Sequence, residues 1–279
     1  METVTVAAIQ PPAPQEPADA TSSAARGLEL LEKAIAEGAK IICLPEYFGL
    51  FGFPASLWQE QIKDNELYRK LLNLAEERGV TILYPTVKLA EGMLFNTTWV
   101  LGSQGLVGKY RKVHLPQSER EAGLSPGAEY PIFSVFGLKF GLMTCYDAYF
   151  PESARILALR GAQAIFFPSL QRATTEDVIR IQLQSRALDN CLYIIRSSYG
   201  YPRDLPWEPG MMVGMTAIAN PEGKLVIDLG HDEGLLVYKL QLNTRPRYRS
   251  HGGELGSPRE FLFSDRRPET YELLSQKQE

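Results

Sequence analysis

The chain has 279 residues, of which 44% are hydrophobic and 22% charged, and a formal net charge of −4. That is the make-up of a globular protein with a large core, and the mildly acidic balance argues against broad binding to a phosphate backbone. No apolar run approaches the about 18 residues of a membrane span, Met1-Glu2-Thr3-Val4 has no basic leader region, and three cysteines, an odd number too small for a disulfide framework, fit a reducing cytoplasm.

Thr3 to Ile9 is a β-branched run stopped by Pro11 and Pro12, and reads as a buried strand. Thr21 to Glu37 places Leu28, Leu31, Ala34 and Ile35 on one helical face, with Gly38 closing the helix. Ile41 to Leu44 is a short buried strand ending at Pro45. Glu66 to Arg78 repeats the helical pattern through Leu67, Leu71, Leu74 and Ala75, and Gly79 ends it. Strands are expected at Val80 to Val87, Phe95 to Leu101 and Leu106 to Val113. Ile132 to Phe136, then Gly137, then Phe140 to Cys145 reads as a hairpin.

Pro151 suits the first position of a helix running to Arg160. A strand at Ala164 to Pro168, a helix at Thr174 to Asp189 and a strand at Cys191 to Ser198 follow. Met212 to Ala219, Leu225 to Asp228 and Gly234 to Leu240 look antiparallel around Pro221-Glu222-Gly223. Alternating strands and helices with interposed hairpins predict a layered α/β domain. Neither a linker nor a repeat is visible, so residues 1–279 are expected to form one domain with an extended tail over residues 243–279.

Three short stretches at strand ends could carry chemistry, because α/β folds place reactive groups there. They are Leu44-Pro45-Glu46-Tyr47-Phe48, Tyr110-Arg111-Lys112-Val113-His114-Leu115, and Thr144-Cys145-Tyr146-Asp147 with Phe150-Pro151-Glu152. Cys145 ends an apolar strand close to a helix start, where a thiol can act as a nucleophile. By position alone a small buried hydrophobe, the usual fate of a free cysteine, is the commoner reading. Glu46, beside Tyr47 and Phe48, is either a desolvated general base or a solvated loop acid. Lys112 is either a surface cation or a fixed charge beside a developing oxyanion.

His114, His231 and His251 carry no signature of a Cys-His protease around Cys145. Zinc spacing, a phosphate-binding glycine loop and Gly-x-Ser-x-Gly are all missing. The arginines of the tail (Arg245, Arg247, Arg249, Arg259, Arg266, Arg267) read as a solvated tail or subunit contact rather than a nucleic-acid surface.

Taken together, Leu-Pro-Glu46, Tyr-Arg-Lys112-Val-His-Leu and Cys145-Tyr-Asp-x-x-Phe-Pro-Glu resemble the motifs of the carbon-nitrogen hydrolase (nitrilase) superfamily, in the same order and at matching spacing. Supporting stretches are Leu124-Ser-Pro-Gly127, Arg160-Gly-Ala, Phe167-Pro-Ser169, Arg186-Ala-Leu-Asp-Asn190 and Met215 to Gly223. The resemblance extends from the first strand to about Leu274. It implies a four-layer αββα sandwich, dimerised through an outer helical face, with the tail in a subunit contact.

The resemblance also implies Glu46 as base, Lys112 as oxyanion stabiliser, Cys145 as nucleophile, and the Tyr146 backbone N–H as a second oxyanion donor. A second glutamate precedes the x-Pro-Gly turn in this family. Its position here falls on Arg120, between Glu119 and Glu121, and Glu121 is the expected choice over Glu119. The expected chemistry is hydrolysis of a non-peptide C–N bond in a small linear amide through a cysteine thioester, with neither metal nor organic cofactor. Cys145-Tyr-Asp looks more like the amidase branches than like true nitrilases. Ureido substrates, nitriles and acyl transfer to an amine are the alternatives. Tyr149, Phe150, Gln171, Arg172 and Trp207 are the expected substrate-binding residues, with Arg172 a candidate partner for a substrate carboxylate.

Overall fold

The computed structural model describes residues 2–173, 175–201, 208, 210–211, 214–242, 248–249, 255–256 and 258–276. The chain divides into two compact units, Met1–Asn243 and Thr244–Glu279. In the first unit the strands are β1 (Thr3–Gln10), β2 (Ile41–Cys43), β3 (Thr81–Ala90), β4 (Met93–Gly102), β5 (Gly105–Arg111), β6 (Phe133–Val135), β7 (Leu138–Leu142), β8 (Ala164–Pro168), β9 (Tyr193–Ser197), β10 (Ala217–Ala219), β11 (Leu225–Asp228) and β12 (Gly234–Gln241). They form two six-stranded sheets, ordered β12-β1-β2-β3-β4-β5 and β11-β10-β9-β8-β7-β6.

The central strands β1, β2 and β3 are parallel, as are β7, β8 and β9. Antiparallel strands complete each edge. Strands covered on both faces need apolar residues at every position. Ile41-Ile42-Cys43 and Ala164-Ile165-Phe166-Phe167-Pro168 meet that need, and every residue in both is buried.

The sheets face each other where β1 meets β9 and β2 meets β8. Helices α1 (Asp19–Ala36), α2 (Trp58–Gln61), α3 (Glu66–Arg78), α4 (Gln117–Glu121), α5 (Pro151–Leu159) and α6 (Glu176–Asn190) fill the connections. Of these, α1 and α3 lie on the first sheet and α6, with α5 against it, on the second. The result is the helix–sheet–sheet–helix layering expected from the sequence. Leu30, Leu31, Ala34, Leu71 and Ala75 form the apolar stripes that α1 and α3 bury against Ile9, Ile42 and Ile82.

Local signals explain most of the boundaries. Gly79 caps α3 in the left-handed region, with φ 63°. Pro151 occupies the first turn of α5. Phe136 and Gly137 both have positive φ and join β6 to β7 as a two-residue hairpin. Expectations were least complete for the short helices: α2 and α4 lie where only connections were foreseen. The second unit contains α7 (Pro258–Ser264) and a short pairing of Tyr248–Arg249 with Leu255–Gly256. Arg245 and Arg247 lie outside the described residues.

Candidate active site

The segments that leave β2 and β5 of one sheet and β7 and β8 of the other meet at one cavity. Its volume is about 480 Å³, and Glu46, Tyr47, Trp58, Lys112, Glu119 and Cys145 are among its walls. Glu46 lies just beyond β2. The N–H groups of Leu44 and Phe48 on either side bond to the carbonyls of Leu83 and Pro85 on β3. Lys112 follows β5 directly. Its backbone is pinned from both sides, donating to the Asn96 carbonyl (2.9 Å) and accepting from the Gly127 N–H (2.7 Å). The Leu124-Ser-Pro-Gly127 turn thus presses against the residue that carries the cation.

Glu46, Lys112 and Asn96 are each only 1% exposed. Lys112 Nζ donates to Glu46 Oε1 at 2.9 Å and to Glu119 Oε1 at 2.7 Å. Asn96 Nδ2 donates to the same two oxygens, at 2.8 and 3.3 Å. The Tyr47 hydroxyl donates to Glu119 Oε1, and the Leu170 N–H to Glu46 Oε2 at 2.8 Å. Burial alone would lower the Lys112 pKa, but Glu46, Cys145 and Glu119 outweigh it and hold the ammonium well above its ordinary value. The lysine is therefore a permanent cation. Burial, with the nearby Glu46 charge, pushes Glu119 up, while Lys112 pulls it back. Glu119 Oε2 is buried with no hydrogen-bond partner among the described residues. An acceptor left without a donor at such a place is costly.

Cys145 is half-buried and sits in the left-handed region, with φ 46°. Tyr47, next to Glu46, is similar at 56°. Non-glycine residues in this region cost on the order of 1–3 kcal/mol and persist only where neighbours hold them. Asp147 is the holder for Cys145. Its Oδ2 accepts the Thr144 N–H at 2.9 Å and the Tyr110 hydroxyl at 2.5 Å. Its Oδ1 accepts the His114 N–H at 3.0 Å. The His114 ring completes the arrangement at 2.9 Å from Oδ1 and stacks on Phe150 at 3.7 Å. Burial, then the charge of Glu46, pushes the Cys145 thiol well up, against the pull of Lys112. Such a thiol is neutral at rest and attacks only as a base removes its proton.

The structure brings Glu46, Lys112 and Cys145 to one cavity, together with Tyr146, Tyr149, Gln171 and Arg172. It separates the two candidate glutamates by placement. Glu119 faces the cluster, whereas Glu121 is exposed and accepts from Gln117 Nε2 at 2.6 Å. Residues two apart on a helix point about 200° apart, so α4 can turn only one of them inward. Phe150 stacks on His114 and Tyr146 and is not among the residues lining the cavity. Trp207 lies outside the described residues. Sequence reading does not single out Asn96, Trp58 or the Leu170 N–H, and it places Tyr47 and Asp147 within the reactive stretches without their hydrogen-bonding roles. The polar run Asn96-Thr97-Thr98 inside a buried strand was a usable signal for the first of these.

Among the described residues no group of three or more His, Cys, Asp or Glu is arranged to hold a metal ion, and no helix is long and apolar enough to cross a membrane. The chain is 31% identical over 232 residues to an omega-amidase of Homo sapiens, covering 78% of this chain and 82% of the relative. It is 30% identical over 250 residues to a hydrolase encoded in the pqqF 5′ region of Pseudomonas protegens, covering 87% and 83%. The solved structure of an amidase from Nesterenkonia sp. superposes with a TM-score of 0.75 at 26% identity, covering 97% of this chain and 96% of that one. The carbon-nitrogen hydrolase family model matches residues 5–250. With that match spanning both sheets and every residue of the buried Glu-Lys-Glu cluster, the chain belongs to the carbon-nitrogen hydrolase family.

Proposed function

We propose that this carbon-nitrogen hydrolase cleaves a small linear amide through a thioester on Cys145, releasing ammonia or an amine. The observation that carries the reading is the buried, mutually hydrogen-bonded Glu46–Lys112–Glu119 cluster facing the same cavity as a strained cysteine. An amide is a poor electrophile with a poor leaving group, and a covalent intermediate divides the barrier in two.

In the first step Glu46 takes the thiol proton as the sulfur forms a bond to the carbonyl carbon. The upward-shifted thiol makes this assistance necessary, because little thiolate is present beforehand. The carbonyl electrons move onto oxygen, where the Lys112 ammonium and the Tyr146 N–H stabilise them. One such donor is typically worth roughly 10²–10³ in rate. Glu119 Oε2 accepts an N–H from the substrate amide and holds the nitrogen facing Glu46. The C–N bond then breaks as Glu46 returns its proton to the departing nitrogen. Water enters, gives a proton to Glu46 and attacks the thioester, and the Cys145 sulfur leaves with that proton. The apolar wall of Tyr47, Trp58, Ala122 and Leu170 favours a compact acyl chain. Arg172, exposed at the rim, offers a cation to a substrate with a distal carboxylate.

An ammonia-release screen tests the reading across amides with and without a distal carboxylate, ureido acids and nitriles, run beside Cys145→Ala. Release from the amides, absent in a folded Cys145→Ala variant, is the expected result. Turnover that survives the substitution, or release confined to nitriles or ureido acids, contradicts it.

A further inference from the structure

Arg196, on β9, is 0% exposed and is among the largest side chains wholly removed from water. A guanidinium in such a place is costly to desolvate unless its donors are used. Here the fork is split between two loops. Nη1 donates to the carbonyls of Gly214 and Met215, the latter at 2.9 Å. Nη2 donates to Ser169 Oγ at 3.3 Å.

Ser169 begins the segment that leaves β8 for the cavity. Its N–H bonds to the Ser197 carbonyl at 2.9 Å, and its Oγ accepts the Gln171 N–H at 3.1 Å. Between those two anchored residues lies Leu170, whose N–H donates to Glu46 Oε2. Gln171 is itself buried and bonded through Nε2 to Gln182 on α6. The four bonds leave residues 169–171 little freedom, and the one backbone donor that they present to the cavity meets the carboxylate.

We propose that Arg196 is a positioning residue: by holding Ser169 it fixes the 169–171 segment, so that the Leu170 N–H aims the Glu46 carboxylate at Cys145. Gly214 and Met215, joined through the same guanidinium, keep the opposite loop in register with it. The inference rests on Glu46 being the base that deprotonates Cys145. Electrostatics agree with the placement. Burial lowers the Arg196 pKa to about 10, and nearby Cys145, Asp228 and Glu46 act to raise it, so the guanidinium stays charged at neutral pH. The Leu170 N–H also favours the Cys145 thiolate, and Lys112 does so more strongly, while Glu46 and Glu119 oppose it. A slackened segment therefore disfavours the thiolate as well as misaiming the base.

Ser169→Ala removes, with little change in volume, the hydroxyl through which Arg196 holds the segment; that hydroxyl also accepts the Gln171 N–H, and the Arg196 variants separate the two bonds. The expected result is a fall in kcat of about tenfold or more with KM held within about twofold, the pattern of an interaction needed after binding. The rate of Cys145 alkylation by iodoacetamide at a fixed, near-neutral pH, read in the same variant, falls. Arg196→Lys keeps the charge but not the fork, and retains more kcat than Arg196→Met. If the Arg196 variants do not fold, Ser169→Ala is read against Ser169→Thr, which keeps the hydroxyl and is expected to retain kcat. A folded Ser169→Ala with an unchanged kcat and alkylation rate overturns the proposal, even if its melting temperature drops. Persistence of hydrolysis in Cys145→Ala, measured alongside, is a different failure: it removes the underlying mechanism rather than the role of Arg196.

Discussion

Glu119 and Glu121 differ in neither residue type nor local composition, yet only Glu119 meets Lys112, Tyr47 and Asn96. Glu119→Gln keeps the shape and removes the charge. A hydrogen bond to a charged group is worth about 1.5–3 kcal/mol, so kcat/KM is expected to fall about 10–100-fold. Glu121→Gln, on the exposed face, should leave it unchanged in the same steady-state assay. Equal kinetics for both variants would remove Glu119 from the mechanism. Glu46, Lys112 and Cys145 were legible in the sequence because each ends a strand inside a short, recognisable stretch. The hydrogen bonds of Asn96 and of the Tyr47 hydroxyl were not, since an asparagine in mid-strand and a tyrosine in a loop find these partners only when distant segments converge. The choice between the two glutamates turned on the phase of a five-residue helix too short to show a periodicity.

Strand ends and the turns that lock them carry the site at the level of elements. A Cβ added to Gly127 would lie 2.1 Å from the Arg111 carbonyl oxygen and 2.9 Å from the Arg111 Cβ. Since the Gly127 N–H holds the Lys112 carbonyl, Gly127→Ala must push the end of β5 and shift the cation. Overpacking of this kind costs about 1–3 kcal/mol. Thermal melting should show that loss, and kcat should fall with it. Full activity at wild-type stability would mean that the turn has slack. The long elements, β1, α1, α3 and α5 among them, followed from periodicity and from their closing glycines and prolines. The short α2 and α4 did not, because their lengths are set by the cavity wall that they complete rather than by local propensity.

Across the whole molecule, burial leaves its mark on the pH dependence of stability. Desolvation raises the pKa of Cys43, Cys145, Tyr84 and Tyr110, and the surrounding acids raise that of Lys112. For Tyr84 the value reaches about 12. Each folded-state value exceeds the unfolded one, so the unfolded chain gives up protons first as pH rises. The stability that these groups contribute is complete below the ordinary thiol value of 9.0 and is progressively lost above it. The melting temperature should therefore decline from pH 9.0 through the ordinary lysine value of 10.5. A flat profile across that interval would mean that these groups are solvated in the folded state. A layered α/β domain was legible from alternating strands and helices, and its two-sheet form from the family resemblance. The strand order, with β12 returning to pair with β1, is a long-range pairing that no local pattern encodes.

The central claim is that Cys145 becomes acylated during turnover. Acid quenching during the hydrolysis of a simple amide, followed by intact-mass measurement and peptide mapping, tests it directly. The account predicts an adduct of the acyl group on the peptide containing Cys145, lost on treatment with hydroxylamine and not formed in Cys145→Ala. Turnover in which the quenched enzyme never carries the acyl group, and in which hydroxylamine added during the reaction yields no acyl hydroxamate, would contradict a thioester mechanism.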